Sequence, residues 1–86
     1  MNGVFSVNKT ILKNRLKEER INLGLSQKDF AELVGVSRQT INSIENEQFY
    51  PTTKLSLIIC KILQKQVEDI FFLKEVTENE NSNDRR

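Results

Sequence analysis

Residues 26–46 read SQKDFAELVGVSRQTINSIEN, and the division of this stretch into two short amphipathic segments decides the fold. Ser26 stands at an N-cap position with Asp29 three residues on, a weaker relative of the capping box. Phe30, Ala31, Leu33 and Val34 then form an apolar stripe at helical spacing. Gly35 stops this helix after about two and a half turns, because it adopts the turn conformation that a side chain opposes. Ser37 caps a second helix, in which Ile41 and Ile44 share one face while Arg38, Gln39, Thr40, Asn42 and Ser43 crowd the other. That face of amides, hydroxyls and a guanidinium is the unusual feature.

The spacing from Gln27 to Asn46 is what a helix-turn-helix needs. Ala31 is small where the two helices cross closely, Gly35 supplies the turn, and Phe30, Val34, Val36, Ile41 and Ile44 weld the pair into a core. The pattern constrains about twenty positions, which makes it far more specific than a lone glycine motif. A helical hairpin with no nucleic-acid role still satisfies part of it.

Working outward, the sequence predicts a first helix over residues 11–23 from the spacing of Ile11, Leu12, Leu16 and Leu23, capped by Asn8 or Thr10 and ended by Gly24. Downstream, Pro51 makes residues 47–52 a loop. A fourth helix starts near Thr53. Its apolar face of Leu55, Ile58, Ile59, Ile62 and Leu63 is widened by Leu57 and Cys60. A short fifth helix covers residues 67–71. Residues 72–76 read as a strand, with residues 4–7 as its candidate partner. The division expected is residues 1–9 as an N-terminal segment with a candidate strand, residues 10–72 as the helical domain, and residues 73–86 as an extension that ends in a polar, disordered tail.

Composition narrows the function classes. Eighty-six residues accommodate one small domain. The single cysteine, Cys60, closes no intrachain disulfide, and without histidine or a second thiol a structural zinc site lacks ligands. Histidine-dependent catalysis is excluded on the same count, so no enzyme activity, cofactor or metal is expected. The longest apolar run, residues 55–63, is far short of the roughly 20 residues that span a bilayer, and the first residues lack the features of a secretion signal. A cytoplasmic protein with a reduced thiol is therefore expected. Net charge is +1, but it is polarised. Lys9, Lys13, Arg15, Lys17, Arg20 and Lys28 face only Glu18 and Glu19 at one end, whereas Glu68, Asp69, Glu75, Glu78, Glu80 and Asp84 outweigh Lys74, Arg85 and Arg86 at the other. Such polarity suits a phosphate-facing surface, and it equally suits ordinary solvated helix faces.

The stretch RLKEERINLGLSQKDFAELVGVSRQTINSIEN, continued by YPTTKLSLIICKILQKQVEDIFFL, resembles the lambda-repressor-like family, the phage-repressor and Cro class or XRE regulators, in its short single-domain form. The resemblance implies an all-α fold of five helices, a homodimer that binds double-stranded DNA, and transcriptional control, usually repression of a pseudo-palindromic operator. By the same resemblance Arg38, Gln39, Asn42 and Ser43 stand where a recognition helix meets base edges. The chemistry agrees, because Arg bridges guanine O6 and N7 while Gln or Asn pairs with adenine N6 and N7. Gln27, Ser37, Thr40 and Asn46, with Lys28 and Lys17, are the candidate phosphate contacts; Lys9, Lys13 and Arg15 are weaker ones. Arg20 and Glu45 occupy positions that commonly form an ion pair between the first and third helices.

Some residues remain open between two roles. Cys60 is a core residue or, less simply, a redox sensor. Phe49 and Tyr50 cover core or pack along the DNA backbone, with core preferred for Phe49. The sequence departs from the family where Glu47 replaces a frequent glycine, which would leave Asn46 to make the left-handed turn, and where Gln64, Lys65 and Gln66 replace a more usual glycine, valine and proline. Ile58 occupies a position often polar in relatives, so Ile58, Phe71, Phe72 and Leu73 are candidates for the dimer contact, or else for simple core. Two other functions stay in view: an antitoxin-type DNA-binding protein whose C-terminal surface captures a partner toxin, and an interaction module that no longer binds DNA.

Overall fold

The computed structural model describes residues 9–76. In chain order the elements are β1 (Thr10–Asn14), α1 (Leu16–Asn22), α2 (Gln27–Val34), α3 (Arg38–Glu45), α4 (Thr53–Leu63), α5 (Val67–Ile70) and β2 (Phe71–Glu75). Hydroxyl caps start the three longest helices: Ser26 Oγ accepts from the Asp29 N–H at 3.0 Å, Ser37 Oγ from Thr40 at 3.1 Å, and Thr52 Oγ1 from Leu55 at 3.1 Å. Each bond serves a first-turn N–H that has no carbonyl four residues back within its helix. Gly35, at φ 91°, ends α2, and the N–H groups of Gly35 and Val36 both donate to the Ala31 carbonyl, at 2.8 and 3.0 Å. That turn swings the chain directly into the cap of α3.

Leu16, Phe30, Ala31, Val34, Ile41, Ile44, Ile59, Cys60, Leu63, Ile70 and Phe71 make one core, with Leu12, Leu25, Val36, Leu55, Ile58, Ile62 and Val67 packed against it. The stripe predicted for the two central helices is buried except Leu33, which is exposed. Cys60 lies inside this core, and burial, followed by the nearby Asp69 carboxylate, pushes its thiol pKa up.

The N-terminal part of the fold differs from the expectation. Residues 11–14 are not helical; they belong to β1, which runs antiparallel to β2 with Leu12 opposite Leu73, Lys13 opposite Phe72 and Asn14 opposite Phe71. The strand wins because Leu12 and Phe71 thereby reach the same side of the two-stranded sheet and pack on the core, whereas Leu23, which completed the helical spacing, is exposed. The small sheet expected between the chain ends exists, but β1 takes the place proposed for residues 4–7, which lie outside the described residues, as does the polar tail. Nor do Asn8 or Thr10 cap the first helix. Asn14 Oδ1 accepts from the Leu16 N–H at 3.0 Å, two residues before α1.

Two turns are built without glycine. Glu47 takes the left-handed conformation itself, at φ 62°, so Asn46 does not have to, and Gln64 does the same at φ 58° to end α4. One tertiary and one local bond hold these turns. The Glu47 carboxylate accepts from Lys13 Nζ at 3.1 Å, and the Lys65 N–H donates to the Cys60 carbonyl at 3.0 Å.

Candidate nucleic-acid interface

Ile41 and Ile44 anchor α3 from below, so the side chains between them point away from the core. Arg38 and Gln39 are exposed, and Asn42, Ser43 and Thr40 are half-buried along the flanks. A polar network beneath this face sets its geometry. Arg20, only 7% exposed, donates from Nε to Glu45 Oε2 at 2.6 Å, from Nη2 to Glu45 Oε1 at 3.2 Å, and from Nη1 to the Leu25 carbonyl at 2.8 Å. The fork-to-fork arrangement joins α1 to the last turn of α3. It is the ion pair that the family resemblance implies for these positions.

Gln27 extends the network to the surface. Its Nε2 donates to Glu45 Oε1 at 3.0 Å and to Asn42 Oδ1 at 3.1 Å, while its Oε1 accepts from Arg38 Nη1 at 3.1 Å. Gln27, proposed from sequence as a phosphate contact, is therefore bonded on both ends of its amide to α3, and it positions two of the four base-edge candidates. Gln39 and Ser43 carry no such side-chain bond, so their hydrogen-bonding groups are unengaged within the domain. At the start of α3 the Ser37 and Thr40 hydroxyls lie 2.9 Å apart. Lys28 and Lys17 are exposed on α2 and α1, and Asn46 is exposed at the end of α3.

The weaker phosphate candidates separate in the structure. Lys13 pairs with Glu47, and Arg15 stacks 4.2 Å over the Phe72 ring while donating to the Asp69 carbonyl at 3.3 Å. Lys13 thus ties β1 to the turn after α3, and Arg15 ties the start of α1 to α5 and β2. Sequence reasoning missed Asn14, whose Nδ2 donates to the Ile44 carbonyl at 3.0 Å and so ties β1 to the C-terminal turn of α3. Only its pairing opposite Phe71, a tertiary fact, places it there. The preference of Phe49 for the core is also corrected: its ring is 44% exposed and lines a recess beside α3.

The dimer candidates fall into three settings. Phe71 is a core residue of its own chain, because its place opposite Asn14 turns the ring inward, and it has no surface left to offer a partner. Phe72 lies half-buried under Arg15, and Leu73 is exposed. Ile58 lines an apolar groove of about 640 Å³ between α2 and α4, together with Leu33, Leu57 and Ile62, with Lys54 and Lys61 among the lining residues. Among the described residues no helix is long and apolar enough to cross a membrane.

A family model for the helix-turn-helix matches residues 16–70. The chain belongs to the lambda-repressor-like, XRE-type family of DNA-binding helix-turn-helix regulators. It is 44% identical over 64 residues to the uncharacterized HTH-type transcriptional regulator YgzD of Bacillus subtilis, an alignment that covers 74% of this chain and 97% of that protein. An uncharacterized HTH-type transcriptional regulator of Methanocaldococcus jannaschii is 42% identical with the same coverage. Among solved structures, the restriction-modification controller protein C.AhdI from Aeromonas hydrophila superposes with a TM-score of 0.59 at 28% identity, over 63% of this chain and 78% of that one. The transcriptional regulator VanUg superposes with a TM-score of 0.65 over 87% of this chain and 97% of that one; at 20% identity it attests the fold alone. The XRE fold thus accounts for α1 to α5 as matched, and the β1–β2 sheet closes it.

Proposed function

We propose that this regulator is a sequence-specific repressor that binds a pseudo-palindromic operator as a homodimer, presenting α3 of each copy to successive major grooves about 10 base pairs apart. The observation that carries the reading is the outer face of α3, where Arg38, Gln39, Asn42 and Ser43 project from a helix braced by the Gln27 and Glu45 network. In this reading those four read base edges. The Ser37 and Thr40 hydroxyls, Asn46, Lys28 and Lys17 meet phosphate, and Gln27 acts chiefly by holding Arg38 and Asn42.

The exposed apolar groove that Ile58 lines with Leu33 and Leu57 supports a self-association surface, since contiguous apolar area on a small domain marks a contact site; the exposed Leu73 lies outside that lining. The test is selection of bound duplexes from a random library, followed by sedimentation of the free protein. An inverted repeat is the expected product. Gln39→Ala should then cost about 1–3 kcal/mol on the selected duplex and little on random DNA, and wild-type affinity should fall steeply with salt. Selection of no sequence, or equal losses on both duplexes, would defeat base reading by this face.

A further inference from the structure

We infer that Phe49 is a specificity-determining residue, its ring forming the apolar wall of a recess that takes the C5-methyl of a thymine. The inference rests on the DNA-binding reading and deepens it. After α3 the chain does not run away from the helix. The Glu47 N–H donates to the Ile44 carbonyl at 3.0 Å and the Gln48 N–H to the Ser43 carbonyl at 2.9 Å, and the left-handed Glu47 folds the backbone back along α3. Phe49 is thereby placed beside the helix instead of beyond its end. It lines a recess of about 240 Å³ with Ser37, Gln39, Thr40 and Ser43.

The composition of that recess selects its occupant. Its lining joins the Ser37 and Thr40 hydroxyls, which the proposed function assigns to phosphate, with Gln39 and Ser43, which it assigns to base edges. An object seated there lies between the backbone and the base edges. In the major groove the C5-methyl of thymine occupies that position, at the outer flank of the pyrimidine edge, with the O4 acceptor beside it. The Phe49 ring offers the methyl an apolar contact, and the Gln39 amide or the Ser43 hydroxyl offers O4 a donor. Cytosine presents no methyl, so it forfeits the contact with the ring; the amide and the hydroxyl can turn to accept from its N4, and the discrimination therefore rests on the methyl. A ring 44% exposed in the free protein is a ready partner for such a contact, because it is already clear of the core.

The experiment uses the full chain and the duplex it selects from a random library, with each thymine replaced in turn by deoxyuridine, which deletes only the methyl. For the wild type, one replacement per half-site should weaken binding about fourfold, the value of one buried methyl, and the others should have no effect. Phe49→Ser should bind the parent duplex more weakly and be indifferent to that replacement, whereas Phe49→Leu should retain part of the sensitivity; circular dichroism melting checks that both fold. A wild type indifferent to every deoxyuridine would overturn the inference while leaving DNA binding intact. So would a Phe49→Ser variant that loses equally on all duplexes and keeps the wild-type sensitivity, the behaviour of a ring packed on sugar. Failure of the wild type to select any sequence would remove the DNA reading and this inference together.

Discussion

Glu45→Ala is expected to bring this domain to the edge of unfolding. The Glu45 side chain is 2% exposed and Arg20 is nearly as deeply set, so the substitution strands a guanidinium in the interior with one remaining acceptor, the Leu25 carbonyl at 2.8 Å. Breaking such a pair by removing one partner costs about 3–5 kcal/mol. A domain of this size has roughly 5–15 kcal/mol of stability in all, and each kcal/mol lost lowers Tm by about 4–8 °C. The double variant Arg20→Met/Glu45→Leu removes both charges and replaces them with apolar groups of similar volume, so it should recover most of the loss. Urea unfolding followed by circular dichroism at neutral pH, on wild type, Arg20→Met, Glu45→Leu and the double, measures all four corners of the cycle, with Glu45→Ala run beside them. A single-variant cost below about 1 kcal/mol, the worth of an exposed pair, would refute the claim that this pair is buried and structural. A double variant as unstable as the summed singles would refute it equally.

The non-glycine turns should respond to glycine by different amounts. Gln64→Gly relieves a left-handed side-chain residue and should stabilise the fold by about 0.5–1 kcal/mol, read as a higher urea midpoint at unchanged slope. Glu47→Gly relieves the same strain but removes the Lys13 partner, an interaction worth less than about 1 kcal/mol at its partial exposure, so its net effect should be close to zero. Cys60 should alkylate at least roughly tenfold more slowly in the folded protein than in urea, because burial keeps the thiol protonated and shielded. Its raised pKa also means that the associated stability is full below pH 9.0, the thiol's ordinary value, and declines as the unfolded chain ionises above it; Cys60→Ala should flatten part of that decline in paired unfolding curves at pH 8 and 10. Ile58→Lys should lower the sedimentation mass if the α4 groove holds a second copy, whereas an unchanged dimer mass would place the interface elsewhere.

The central helix pair was legible because its signals are local. Ser26, Gly35 and Ser37 act within three or four residues, and the stripe from Phe30 to Ile44 repeats at the helical period. Residues 10–14 were misread because TILKN carries apolar side chains compatible with either period, and only pairing with Phe71–Glu75, nearly sixty residues away, selects the strand. The outer face of α3 was equally visible in composition. Its bracing was less so: the Arg20–Glu45 pair came from family resemblance, and the roles of Gln27 and Asn14 depend on where α2 and β1 cross α3. For Phe49 core was preferred over packing along DNA, and no local signal in the sequence reports a backbone that doubles back through Glu47.

The buried anion also fixes which atoms the recognition face presents. Ionised Glu45 only accepts hydrogen bonds, so Gln27 must turn its Nε2 toward it, and its Oε1 is then directed to Arg38. The same Nε2 takes one lone pair of Asn42 Oδ1 and leaves the Asn42 amide nitrogen unengaged. A two-bond contact with adenine uses both ends of an amide, and at Asn42 the acceptor end is already shared with Gln27 while the donor end is not. Within the proposed complex Asn42 is therefore suited to an acceptor such as guanine O6, a purine N7 or thymine O4, while Gln39, with neither end engaged, keeps the geometry for adenine. Arg38 is held by one nitrogen and retains its other donors for guanine. The polarity of a carboxylate beneath the surface is in this way carried through one glutamine to the base preferences of two residues on the helix above it, and Glu45→Gln, which removes the obligate acceptor, should broaden the preference at the Asn42 position more than at the Gln39 position.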